Sequence, residues 1–303
     1  MTNNLIPYSP RITEEEARRT IESMNLIDGF LFDSVIENPD DARMVIGKIL
    51  KTVFGREFAD IIVTGQKTFQ GIDRGYHGIR LDAHVFEDSA GELTATIYDV
   101  EVENRPSDKR DLPRRMRYYE AMVDDKLLSS MTDYLSLPDF ISIIILSYDP
   151  FGADEMYYEV RSSILNHPDI PYDDGIKHIF LYCNGKMDDH FREKRGKHLA
   201  ELLKYFISGQ LPDTENSDIT IINEIVNRVK RRKEVTGRYM QQWDRENQIR
   251  RETQYEDARS FILFGQEIGV SKETIIDNLK SKMNLKDSLI HDLFNDMETS
   301  LKD

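Results

Sequence analysis

Two alternating runs, Gly78 to Phe86 and Ala95 to Asn104, constrain this chain more than any other feature. Asp88-Ser89-Ala90-Gly91 offers the turn between them, so the pair reads as a β-hairpin. On the second strand Asp99, Glu101 and Glu103 alternate with Val100 and Val102. A strand has a side-chain period of two, which places the three carboxylates on one side, roughly 6 to 7 Å apart along the chain. On the first strand Asp82 shares a face with Arg80, His84 and Phe86, while Leu81, Ala83 and Val85 take the other. Three or four acids converging on a sheet face repel one another unless a cation lies between them, and oxygen ligands suit a divalent metal.

The remaining punctuation describes an α/β fold. Thr13 and Glu16 have the spacing of a capping box, predicting a short helix that ends near Met24. Asn38-Pro39-Asp40-Asp41 marks a turn and cap. Met44, Val45, Ile46, Ile49, Leu50, Val53 and Phe54 then recur at helical spacing until Gly55. Residues 59–64 read as a short strand and Gly65 to Gly75 as a polar loop before the hairpin. After it, Leu112, Met116, Tyr119, Met122 and Val123 define a helix face, with Pro113 tolerated near the start. Phe140-Ile-Ser-Ile-Ile-Ile-Leu-Ser is a buried strand, nearly continuous in apolar residues. The order from about 40 to 147 is therefore helix, three strands, helix, strand. Strands are also expected at Tyr157 to Arg161 and from Lys177, and a helix carries Leu199, Leu202, Leu203, Phe206 and Ile207.

The linker from Leu211 to Asp218 suggests two regions, 1–210 and a helical 211–303. In the second, Ile219 to Arg251 reads as one charged helical stretch, and Ser271 as a cap before Ile275, Ile276 and Leu279. A helix-turn-helix reader from Arg259 to Leu293 and a helical packing or homo-oligomer module are both compatible with this. The last thirty residues have no basic cluster on one face, which favours the module.

A formal charge of −15 argues against a protein that coats nucleic acid through its overall field, but not against local binding. Basic residues concentrate between Arg105 and Arg117 and between Arg228 and Lys233, where the ordinary role of such runs is a solvated helix face. No run of eighteen apolar residues exists and the N-terminus lacks a basic segment followed by an apolar one, so a cytoplasmic protein with no membrane partner is expected. The single cysteine, Cys183, excludes an intrachain disulfide and a cysteine-rich zinc site; set among Ile179, Leu181 and Tyr182 in a strand, it is expected to be inert.

The ordered set Ile79-Arg-Leu-Asp82-Ala-His-Val, then Asp99-Val-Glu101-Val-Glu103, then Asp111-Leu-Pro-Arg-Arg-Met-Arg-Tyr-Tyr119 resembles the PD-(D/E)XK nuclease superfamily. Within it, the set is similar to the bacterial recombination-promoting, transposase-like nucleases, over residues 28 to 210. The resemblance implies a restriction-endonuclease-like α/β core with a helical C-terminal extension, and an Mg²⁺- or Mn²⁺-dependent DNA endonuclease, a hydrolase linked in some members to recombination or mobile elements. It implies Asp82 and Glu101 as metal ligands, with the Val102 carbonyl completing the protein's share. The third catalytic position, Lys in much of the superfamily and Gln in the closer group, is Glu103. A Glu cannot stabilise developing negative charge as a Lys does, although it can ligate an ion or accept a proton. Positive charge could then come from Lys109, Arg114 or Arg115. Arg114, Arg115, Arg117 and Tyr118 are the expected DNA contacts. The competing expectation is a catalytically degenerate member that binds nucleic acid or protein through the same scaffold. A purely structural oligomerisation protein is a third.

Overall fold

The computed structural model describes residues 11–58, 61–69, 79–87, 95–106, 110–127, 133–187 and 194–300. It is a mixed α/β protein. Helices α1 (Glu14–Ser23), α2 (Gly29–Ile36) and α3 (Pro39–Phe54) precede strands β1 (Ile61–Phe69), β2 (Ile79–Glu87) and β3 (Thr96–Glu103). Then come α4 (Asp111–Leu127), β4 (Asp139–Leu146), β5 (Tyr157–Val160), β6 (Ile176–Tyr182) and α5 (Lys194–Ser208). Helices α6 (Ser217–Lys230), α7 (Lys233–Glu267), α8 (Lys272–Met283) and α9 (Asp287–Ser300) complete the chain. The expected order from 40 to 147 is present as α3–β1–β2–β3–α4–β4.

Local chemistry sets the element ends. Thr13 and Glu16 exchange the two bonds of a capping box, Thr13 N to Glu16 Oε2 at 2.9 Å and Glu16 N to Thr13 Oγ1 at 3.2 Å. Asn38 caps α3 by accepting from the Asp40 and Asp41 amides, and Gly55 ends it at φ 73°, donating to the Lys51 carbonyl. Helix α2 was not expected, because Phe30-Leu-Phe is apolar without a helical period; Asp28 starts it by accepting from the Phe30 and Leu31 amides.

The strands form one sheet in the order β1-β2-β3-β4-β6-β5. The pairs β1–β2 and β2–β3 are antiparallel, β3–β4 and β4–β6 parallel, and β5 runs antiparallel to β6. A parallel pair needs a crossover, and α4 supplies it between β3 and β4. Leu112 and Met116 of α4 pack with Ile144, Leu146 and Phe180, and Met122 and Val123 with Ile97 and Phe140. On the opposite face Tyr98 meets Phe54 of α3 at 5.4 Å between ring centroids.

Three expectations need correction. Residues 65–69 of the expected loop are strand, because β1 continues to Phe69 and Gly65 pairs with Ala83; residues 70–75 lie outside the described residues. Gly65 is there for space: a Cβ would lie 2.6 Å from the Ile36 carbonyl oxygen. The helical stretch from Ile219 to Arg251 is two helices, interrupted at Arg231 and Arg232. The basic run from Arg228 is not simply solvated. Arg228 and Arg232 both pair with Asp41, which is buried at the start of α3, the latter at 2.7 Å. Lys230 donates to the Glu22 and Met24 carbonyls.

The chain divides into two compact units, Arg19–Val235, and Met1–Arg18 with Thr236–Asp303. The first holds the sheet. The second has its own core, in which Ala258 and Ile262 meet Ile275 and Leu279 of α8 and Ile290, Leu293 and Phe294 of α9. Ser271 caps α8 through the Thr274 amide as expected. Among the described residues, no helix is long and apolar enough to cross a membrane.

Candidate metal and nucleic-acid site

Strand β3 is central, and its acids lie on the face covered by α4. That differs from the open, solvated face on which acids of an antiparallel strand usually sit. Asp99 is fully buried, Glu101 is 7% exposed and Glu103 is partly exposed, so the three form a gradient from the core to the strand's C-terminal rim. Two carboxylates buried this far are expensive to keep charged without positive charge nearby.

Helix α4 brings that charge. Its first turn follows β3 closely, and Pro113 within that turn forfeits no helical hydrogen bond. Arg115 points inward, its Nη1 and Nη2 lying 3.2 and 3.3 Å from Glu103 Oε2. Glu103 Oε1 accepts the Arg105 amide at 3.1 Å. Burial pulls the Arg115 pKa down, yet Tyr119, Glu101 and Glu103 hold it above its ordinary value. The guanidinium is therefore a fixed cation between α4 and the acid-bearing face.

The expected DNA contacts separate accordingly. Arg114 and Arg117 are exposed, Tyr118 is 36% exposed, and Arg115 is turned to Glu103 instead. Tyr119 packs in the apolar layer under α4. Lys109 lies outside the described residues.

The register places Asp82. Ala83 pairs with Val100 and His84 with Asp99, so Asp82 on β2 lies one residue beyond the Ala83–Val100 pair, as Glu101 does on β3. The side chains of Asp82 and His84 lie outside the described residues. Among the described residues no group of three or more His, Cys, Asp or Glu side chains is arranged to hold a metal ion. Glu101 and the Val102 carbonyl share the C-terminal end of β3 with Glu103, to which Arg115 is drawn, and oxygen donors of this kind are those a hard cation takes.

One constellation escaped the sequence reading. Ser142 of β4 is the register partner of both Asp99 on β3 and His178 on β6, so the three occupy one row across the sheet. Ser142 Oγ lies 2.6 Å from His178 Nδ1, and His178 Nε2 meets Glu120 Oε1 of α4. With Nε2–H donated to the carboxylate, Nδ1 is free to accept the Ser142 hydroxyl. The order acid, imidazole, hydroxyl has the parts of a nucleophilic triad. At 1% exposure, however, the Ser142 hydroxyl cannot meet a substrate. The signal in the sequence was the one polar residue inside an otherwise apolar strand.

Cys183 lies just beyond β6, its amide donating to the Leu146 carbonyl, and burial pushes its thiol up to about 12. Desolvation therefore favours the neutral thiol over the thiolate at this position. No protein-family model matches the chain, and neither a curated protein nor a solved structure matches it.

Proposed function

We propose that the unit Arg19–Val235 is a metal-dependent DNA endonuclease on a PD-(D/E)XK-type core. The observation that carries this reading is the buried acid face of β3 with Arg115 laid against its outer end. Asp82, Glu101 and the Val102 carbonyl are the proposed ligands of one Mg²⁺ or Mn²⁺, which would supply Lewis-acid polarisation of a phosphodiester and a water activated at neutral pH. Glu103 would accept a proton from the attacking water, whose oxygen would bond to phosphorus while the ester P–O bond breaks and its electron pair leaves with the ester oxygen. Arg115 stands in for the missing Lys as the source of positive charge. Arg114, Arg117 and Tyr118, exposed on the outer side of α4, are the proposed contacts to the DNA backbone.

The Glu103–Arg115 pair also favours a second reading, a catalytically degenerate member that binds nucleic acid or protein, because an ion pair occupies the third position. Nicking of supercoiled plasmid separates the two. The nuclease predicts cleavage with Mg²⁺ or Mn²⁺ that is lost in Asp82→Ala and Glu101→Ala. Full cleavage by both variants would eliminate the proposed site, and no cleavage by the wild type at any metal concentration would leave the binding module.

A further inference from the structure

The ion pair at the rim is less complete than a guanidinium and a carboxylate usually achieve. An arginine commonly meets a carboxylate as a fork, one donor to each oxygen. Here Nη1 and Nη2 converge on Oε2, while Oε1 is taken by the Arg105 amide. The third donor, Nε, is buried and makes no hydrogen bond. A buried donor left in this state favours any rearrangement that gives it a partner. Glu101 lies two residues before Glu103 on the same face of β3, so the guanidinium stands at the end of the strand that carries both acids. Arg114 and Arg117, which flank it on the same two turns, are exposed.

We infer that Arg115 is a displaceable counter-cation: it neutralises the acidic end of β3 through Glu103 while Glu101 holds no divalent ion, and ion binding releases its guanidinium to a DNA phosphate beside Arg114 and Arg117. This rests on the reading of Asp82 and Glu101 as metal ligands. It adds an order and a coupling that the reading does not contain. A divalent ion on Glu101 brings positive charge to the strand end that Arg115 already neutralises through Glu103, so the ion binds against Arg115. Once released, the planar fork suits a phosphate better than the single oxygen it leaves. Metal and DNA then strengthen one another's binding, and by linkage the factor is the same in both directions.

The test is binding by the full chain, measured in wild type, Arg115→Gln and Arg115→Lys. Mn²⁺ affinity is read by calorimetry, and affinity for a labelled duplex by fluorescence anisotropy with and without Ca²⁺. The expected result for Arg115→Gln is Mn²⁺ binding tighter by about 5-fold or more, with the Ca²⁺-dependent gain in duplex affinity abolished. Arg115→Lys, which keeps the charge, retains the weaker Mn²⁺ binding. Equal or weaker Mn²⁺ binding in Arg115→Gln while the wild type binds the ion overturns this inference and leaves the metal site standing. Absence of Mn²⁺ binding in all three proteins overturns the metal site and the inference together.

Discussion

The Glu120–His178–Ser142 row makes a quantitative prediction about how α4 is held to the sheet. The perturbations are Glu120→Ala, His178→Leu and the double variant. The His178 and Glu120 side chains are 12% and 20% exposed, so their contact is shielded from solvent without being sealed. A hydrogen bond to a charged group is worth about 1.5 to 3 kcal/mol, and Glu120→Ala should cost about 2 kcal/mol, since it also leaves the His178 donor unsatisfied. His178→Leu roughly conserves volume, so it adds little cavity cost. It does strand the Ser142 hydroxyl, which at 1% exposure has no access to water, and should cost about 2 to 3 kcal/mol. Once either partner is gone the other contributes little, so the double variant should fall short of the sum by about 1.5 kcal/mol. Because the chain has two compact units, a single melting temperature is a poor readout. Hydrogen exchange of the α4 amides reports the opening free energy where it matters. Additivity of the two single variants to within about 0.5 kcal/mol would refute a direct Glu120–His178 interaction.

Three further outcomes are expected. Asp41→Asn removes the charge that Arg228 and Arg232 share across α3 and α6; with those arginine side chains 57% and 32% exposed, the loss should be about 2 kcal/mol in urea denaturation, and a change under about 0.5 would show the pairs to be incidental. Gly65→Ala forces a Cβ against the Ile36 carbonyl and should destabilise the sheet unit by about 1 to 3 kcal/mol, whereas a neutral result would mean that the strand does not pack there. Asp149 concerns pH. Desolvation raises its pKa, but the Gly152 and Asp154 amides, the Tyr158 hydroxyl and the Phe151 amide outweigh it and lower the value from 3.8 to about 2. A depressed carboxylate stabilises above its unfolded pKa and loses that effect as pH falls through the folded one. The stability gap between wild type and Asp149→Ala should hold steady from pH 7 to 4 and close between pH 3.8 and 2; a gap that widens with acid would reverse the sign of the argument.

What could be read from the sequence was chemistry that acts within a few residues. The Thr13–Glu16 box, the Asn38 cap and the Gly55 stop each act within one turn, and each stands where the spacing puts it. The strand from Phe140 was legible because a nearly continuous apolar run needs cover on both faces. What escaped depends on contacts between distant segments. Gly65 has the composition of a turn, and only the Ile36 carbonyl, brought up by α2, explains why a strand needs a glycine there. Asp41 and Arg228 are 187 residues apart, so nothing local distinguishes that arginine from a solvated one. The acids of β3 were correctly set on one face, but their burial depends on which element covers that face. That is a property of the crossover.

The crossover also explains why an arginine meets the acids at that place. β3 is antiparallel to β2 and parallel to β4, so the chain must return across the sheet between β3 and β4. α4 begins at the C-terminal end of β3, and its opening turns must lie over that end, where Glu103 sits. Arg115 reaches Glu103 from there, while Glu120 lands over His178 on β6. The two anchoring residues are about 7.5 Å apart along the helix axis. Their partners lie four strand positions apart, about 13 Å along the strands, and two strands apart across the sheet. The reach of the long Arg115 and Glu120 side chains makes up that difference. A slip of one helical turn, about 5.4 Å, would therefore break both ties together. The apolar contacts of Leu112, Met116, Met122 and Val123 are non-directional and tolerate such a slip far better. The polar pair at each end of this contact consequently fixes the position of α4, and with it the distance between the guanidinium and the acids on which the proposed chemistry depends.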